Sequence, residues 1–249
     1  MLILWYIILA NFFISLFSLV GVFTLSIKES WLQKILLYLV SLSSGAMLGG
    51  AFLHLMPEGL EQGDPMVFFS IMLGALMVYL LIEKLLHWRH CHKHLGECHV
   101  HAHFGYMNLI GDGVHNFIDG LVIAATFTIS IPLGISTALA VAIHEIPQEI
   151  GDFGVLLYSG FSRKKALLAN FLTALLAVAG GVIGWALSYR VEHISNFLLP
   201  VAAAGFLYIA LSDLVPEIRK GQSLKVFFVN MSFIVGGMLI MLLTKVLGG

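Results

Sequence analysis

The sequence predicts an all-α, polytopic membrane protein with eight transmembrane helices and both termini outside. Three observations lead there. Of 249 residues, 59% are apolar and 11% are charged, where an ordinary soluble domain carries roughly a quarter charged. The apolar residues fall into eight runs, near 3–26, 35–57, 66–88, 105–128, 132–158, 164–188, 196–217 and 222–247, each about 20 residues or more, which is membrane-crossing length. The basic residues then divide unevenly between the two sides. With the N-terminus outside, Lys28, Lys34, Lys84, Arg89, Lys93, Arg163, Lys164, Lys165, Arg219, Lys220 and Lys225 fall inside, while Arg190 and Lys245 stay outside. That asymmetry is the positive-inside signal.

The same composition narrows the function classes. A net charge of −1 offers nothing to a nucleic acid, and two cysteines are too few for a disulfide scaffold. No linker is long enough to separate soluble domains, so residues 1–249 read as a single transmembrane domain with a cytoplasmic histidine-rich loop at about 89–104.

The first run lacks the basic flank and small-residue cleavage site of a signal peptide, so it is expected to remain as the first span. In the second, Gly45 and Gly49 form a small-xxx-small pair that lets helices approach closely, within the fold or between two copies of a homodimer. Met47 offers a soft thioether or simple packing. His54, Pro57 and Glu58 sit near the outer end of this span, where a cation arriving from outside would first be captured. Glu58, Glu61 and Asp64 make that mouth acidic and would concentrate cations; the plainer reading is that they solvate a turn.

After the third run, His87, His90, Cys91, His92, His94, Cys98, His99, His101 and His103 crowd into seventeen residues. Such a tract is compositionally metal-binding, with spacing too irregular for a defined finger. A solvated linker is the alternative.

The fourth and fifth runs hold the chemistry. Ionisable groups at bilayer depth cost roughly 2.5 to 3.5 kcal/mol each on insertion scales, so they must face a wet or metal-filled interior. Asp112, His115, Asn116 and Asp119 lie at i, i+3, i+4 and i+7, along one helical stripe. His144, Glu145, Gln148, Glu149 and Asp152 form a denser stripe on the fifth run. Pro147 cannot donate a backbone hydrogen bond, so it frees the carbonyl one turn earlier and bends the helix beside these groups. Imidazole together with carboxylate suits zinc, iron or manganese better than calcium or magnesium. A proton relay could use the same groups.

These residues resemble a known family. His115-Asn116-Phe117-x-Asp119-Gly120 and His144-Glu145-Ile146-Pro147-x-Glu149-x-Gly151-Asp152 are similar to the paired signatures of the ZIP (Zrt/Irt-like) divalent-metal transporters, and the resemblance covers essentially the whole chain. It implies a metal site, or a binuclear pair of sites, midway across the membrane. The positions it implies are His115, Asn116, Asp119, His144 and Glu145, with Gln148 and Glu149 alongside. Gln148 stands where the family commonly has histidine or glutamate, and Ala177 where some relatives carry a sixth-span glutamate. A single principal site, or one strong and one weak, is therefore expected. The resemblance further implies an elevator-like movement of a bundle containing spans four and five, and a histidine-rich loop that receives or senses metal.

His144-Glu145 also opens like the HExxH motif of zinc proteases, but the fifth position must be histidine so that both ligands share a face, and here it is Gln148. No catalytic residue is expected. Gly180 and Gly184 form a second small-xxx-small pair in the sixth span. In the seventh, Tyr208, Ser212, Asp213, Pro216 and Glu217 place polar groups toward the inner face, with Asp213 a candidate exit residue.

The expected function is transport of divalent transition-metal ions toward the cytoplasm, with Zn2+ as the first-choice substrate and Fe2+, Mn2+ or Cd2+ sharing its ligands. A proton-coupled secondary carrier of another cation is the alternative. The expected partners are the metal ion and the lipid bilayer of the cell membrane or of an intracellular one.

Overall fold

The computed structural model of the chain describes residues 2–24, 29–88, 100–190, 194–219 and 223–248. Among them every regular element is helical: α1 (Leu2–Ser15), a 3-10 turn (Leu16–Val20), α2 (Gly21–Thr24), α3 (Glu29–Gly49), a π-helical turn (Gly50–Leu55), α4 (Met56–Gln62), α5 (Pro65–Trp88), α6 (Val100–Ile129), α7 (Ile131–Tyr158), α8 (Arg163–Ala174), α9 (Leu176–Arg190), α10 (Ser195–Tyr208), a second π-helical turn (Ile209–Leu214), α11 (Val215–Arg219) and α12 (Leu224–Gly248).

Six stretches of the described residues are long and apolar enough to cross a membrane: Leu2–Val20, Ile35–Gln62, Pro65–Lys84, Arg163–Ser188, Ser195–Ser212 and Leu224–Leu247. The two remaining long helices, α6 with 30 residues and α7 with 28, have the length but carry the polar stripes that dilute their apolar character. The second, sixth and seventh runs are each more broken than their hydropathy suggests. The second and seventh pass through the π-helical turns, and the sixth is interrupted at Leu175 between α8 and α9. Helix α6 begins at Val100, so His101 and His103 lie on helical backbone rather than in the loop expected up to 104.

Local chemistry sets the helix ends. Asp64 caps α5, its Oδ1 accepting from the backbone N–H groups of Met66 at 2.8 Å and Val67 at 3.1 Å, so this acid at the expected mouth has a structural task. Ser130 alone joins α6 to α7. Its N–H donates to Thr126 at 3.1 Å, its Oγ accepts from Leu133 N–H at 3.3 Å, and Pro132 sits in the first turn of α7, where no intrahelical N–H is needed. At the far end of α7, Phe161 N–H donates to the Leu156 carbonyl and Gly160 N–H to that of Leu157. Gly160, at φ +86°, supplies the left-handed residue which that closure requires.

The bundle is drawn tight where side chains are small. Helix α6 lies against α7, α9 and α10, and α3 lies against α12 and α7. A Cβ on Gly45 would sit 1.9 Å from the Ile234 carbonyl oxygen of α12, and one on Gly180 would sit 2.0 Å from the Phe117 carbonyl oxygen of α6. Gly49 meets Met241, and Gly184 meets Leu121 and Ala124. Both small-xxx-small pairs are thus consumed inside the fold, because helices in lipid associate through close backbone approach. Tyr79 of α5 stacks on Tyr208 of α10, and Tyr208 donates to Glu83. The opposite face of α5 presents Phe69, Leu73, Met77 and Leu81, all exposed, as a face turned to lipid would.

Candidate metal centre

A one-residue connection makes α6 and α7 antiparallel neighbours, and this brings their polar stripes face to face. His115 and Asp119, one turn apart on α6, meet His144 and Glu145 on α7. Nε2 of His115 lies 3.2 Å from Nε2 of His144, 3.3 Å from Oε1 of Glu145 and 3.5 Å from Oδ2 of Asp119. Nε2 of His144 lies 3.1 Å from Asp119 Oδ2 and 3.3 Å from Glu145 Oε1. Ligands about 2.1 Å from a tetrahedral zinc are separated from one another by about 3.4 Å. Five donor–donor distances fall around that value. Asp119, His144 and Glu145 are buried, and Asp119 Oδ2 and Glu145 Oε1 have no hydrogen-bond partner. Two imidazole nitrogens and two carboxylate oxygens thus converge with no donor for the carboxylates but the two histidines themselves, an arrangement a cation would complete.

Surrounding residues fix these groups. Nδ1–H of His144 donates to the Ala140 carbonyl at 3.2 Å, which turns Nε2 toward the cluster in the manner of metal-binding histidines. The Phe206 ring stands edge-on to His144, with centroids 6.3 Å apart. Pro147 leaves the Ile143 carbonyl without its helical partner, and Ser43 of α3 donates to that oxygen at 2.8 Å. The carbonyl freed by Pro147 is thus taken up by a cross-helix hydrogen bond, and a third helix holds the donor-bearing stretch of α7.

The remaining candidates are distributed. The Asn116 amide nitrogen is turned to Asp112, donating to its carbonyl at 3.1 Å and its Oδ1 at 2.7 Å. Gln148 is half-buried, one turn beyond His144. Glu149 belongs to a second group with Asp112 and Asp152; those two stand on the polar stripes but outside the expected ligand set. His54 is apart from both groups. It is buried on the first π-helical turn, with Nε2 2.8 Å from the Met241 carbonyl and 3.2 Å from Thr244 Oγ1. Glu58 accepts from Gln62 at 2.8 Å. His90, Cys91, His92, His94, Cys98 and His99 lie outside the described residues, and His101, His103 and Asp213 are described through their helical backbone alone. Ser43, Asn108 and Asn170 were not marked out in the sequence; they hold the Ile143 carbonyl, Asp152 and Glu149. Their one visible signal was an amide or hydroxyl within an apolar run.

The chain matches the family model described as ZIP Zinc transporter over residues 1–104 and 89–245. Among curated proteins it is 48% identical over 122 residues to the zinc transporter ZIP10 of Danio rerio, a match covering 49% of this chain and 14% of that protein. It is 30% identical over 243 residues to the zinc transporter zipt-7.2 of Caenorhabditis elegans, covering 74% of this chain and 53% of that protein. It is 33% identical over 203 residues to the zinc transporter ZIP13 of Pongo abelii, covering 74% and 59%. The chain thus spans a small part of the first relative and somewhat over half of the other two.

Proposed function

Since the chain belongs to the ZIP zinc transporter family, we propose that it carries divalent transition-metal ions, zinc first among them, across a membrane toward the cytoplasm. The observation that supports this most is the spacing of the His115, Asp119, His144 and Glu145 donors, which suits a tetrahedral zinc. The relatives are named zinc transporters, and the orphaned carboxylate oxygens are of the kind a cation would complete.

In this reading the chain is one transmembrane domain. Helices α6 and α7 join the six apolar stretches as spans, giving eight, and both termini lie outside with the basic segments in the cytoplasm. The ion arrives past Glu58, with His54 further along, and sheds water onto the four donors. Gln148 stands within a turn of them as a further ligand, while Asn116 and Glu149 belong to the neighbouring acidic group. It departs toward the histidine-rich segment carrying His90, Cys91, His92, His94, Cys98, His99, His101 and His103, with Asp213 on the inner side. Iron, manganese and cadmium compete because the same donors serve them. Ligands must lose their protons to bind, so acidification slows uptake. A homodimer would associate through faces other than the Gly45 and Gly180 pairs, which are already occupied.

The test is uptake by the purified chain in liposomes, with zinc, iron, manganese and cadmium in competition and an imposed pH gradient. Saturable zinc uptake is expected. His144→Ala and Glu145→Ala should abolish it while membrane insertion is kept, and wild-type uptake by either variant overturns the assignment. Cation flux driven by the pH gradient without selection among the four metals would favour a proton-coupled carrier of another cation.

A further inference from the structure

Next to the histidine-bearing cluster lies a second convergence made only of acids. One oxygen from each of Asp112, Glu149 and Asp152 lies within 4.8 Å of the others. Asp112 and Glu149 are buried, 5% and 1% exposed. Each carboxylate is held by its own asparagine amide through a single oxygen: Asn116 donates to Asp112 Oδ1 at 2.7 Å, Asn170 to Glu149 Oε2 at 2.5 Å, and Asn108 to Asp152 Oδ1 at 2.9 Å. The other oxygen of each, Asp112 Oδ2, Glu149 Oε1 and Asp152 Oδ2, has no hydrogen-bond partner. Thr173, beside Asp112, has its hydroxyl directed to the Ala169 and Asn170 carbonyls. Among the described residues no lysine or arginine pairs with any of the three acids.

Three carboxylates, two buried and one half-buried, each anchored on one oxygen and open on the other, form a set of ligands lacking its ion. An uncompensated charge at this depth is costly, and three converging ones more so. We propose that Asp112, Glu149 and Asp152 form a second divalent-cation site, bound through carboxylate oxygens alone. Its position in the fold gives it a task, one that rests on the transport reading above. Along α6 the acids precede His115, and along α7 they follow Glu145 by one to two turns. In an antiparallel pair both displacements run the same way, toward the ends at Val100 and Tyr158 and so toward the histidine-rich segment. An all-oxygen shell without imidazole holds a zinc-like ion less tightly than the histidine cluster does, and suits harder ions comparatively better. It is a stage of looser hold on the way off the tight site. Of the positions implied by the family resemblance it shares only Glu149; a paired site of that kind would draw on Gln148 and Ala177 instead.

The test is cadmium NMR of the full chain in lipid nanodiscs, because the cadmium resonance separates nitrogen-and-oxygen shells from oxygen-only ones, and separates both from the cysteine-containing segment. The expected result is two resonances from the transmembrane region. His144→Ala removes the mixed one. Asp112→Asn or Asp152→Asn removes the oxygen-only one and leaves the mixed one intact, which also certifies the fold. Asn108→Ala, which takes away only the amide behind Asp152, should weaken oxygen-only binding by about tenfold, as loss of an outer-shell partner does. Absence of an oxygen-only resonance at saturating cadmium, or its persistence in both aspartate variants, overturns the site. An oxygen-only resonance without a mixed one would instead sink the transport-site reading and leave this one standing.

Discussion

In the proposed metal site, Gln148 is the single residue through which affinity is most directly tested. It sits one turn from His144, at a position where the family commonly has an imidazole or carboxylate, and an amide oxygen is the weaker ligand. Gln148→His should therefore tighten zinc binding, measured by equilibrium titration of the purified chain. Unchanged affinity would mean that the side chain does not reach the ion. The donor residues themselves were legible in the sequence because an ionisable group in an apolar run is tolerated only when it is paired, hydrated or bound to a metal. Asp112 and Asp152 were visible on the same stripes, but their convergence with Glu149 depends on how two helices face each other. The reach of Asn170 from α8 to the Glu149 carboxylate spans 21 residues and leaves no trace in local spacing.

At the level of the element, Pro147 and Ser43 act together. Proline removes the donor that the Ile143 carbonyl would have had, and serine on α3 replaces it. Ser43→Ala should lower thermal stability by about 1 kcal/mol, since it orphans a buried acceptor, and should reduce uptake by loosening α7. In a Pro147→Ala background, where the helix again supplies its own N–H, the same serine change should cost much less. Equal costs in the two backgrounds would show that the hydrogen bond does not depend on the proline. Gly45→Val drives a side chain into the Ile234 backbone of α12 and should prevent α3 and α12 from closing, read as loss of monodisperse protein in detergent. The long helices α5, α6, α7 and α12 followed from pattern, and so did the carbonyl freed by Pro147. The π-helical turns at Gly50–Leu55 and Ile209–Leu214 did not, because one extra residue in a helical turn leaves the hydropathy of the run unchanged.

For the whole molecule, the sequence identified an all-helical membrane protein through composition and the length of its apolar runs, signals that sum over many residues and survive local error. It was less informative about which helices touch, since in lipid that choice rests on small residues and a few hydrogen bonds rather than on apolar burial. Deleting residues 90–103 removes the bulk of the histidine-rich segment without touching the four clustered donors. Transport should persist with altered rate or regulation, measured as the initial slope of zinc uptake. Complete inactivation would show that the segment is needed for the fold.

The single-serine hinge between α6 and α7 has one more bearing. With no slack at Ser130, α6 and α7 cannot slide lengthwise past each other or spread at that end, so the pair behaves as one stiff hairpin. In the transport proposed above, opening to either side then comes from neighbours shifting around that hairpin, or from the hairpin travelling whole, with its cargo seated.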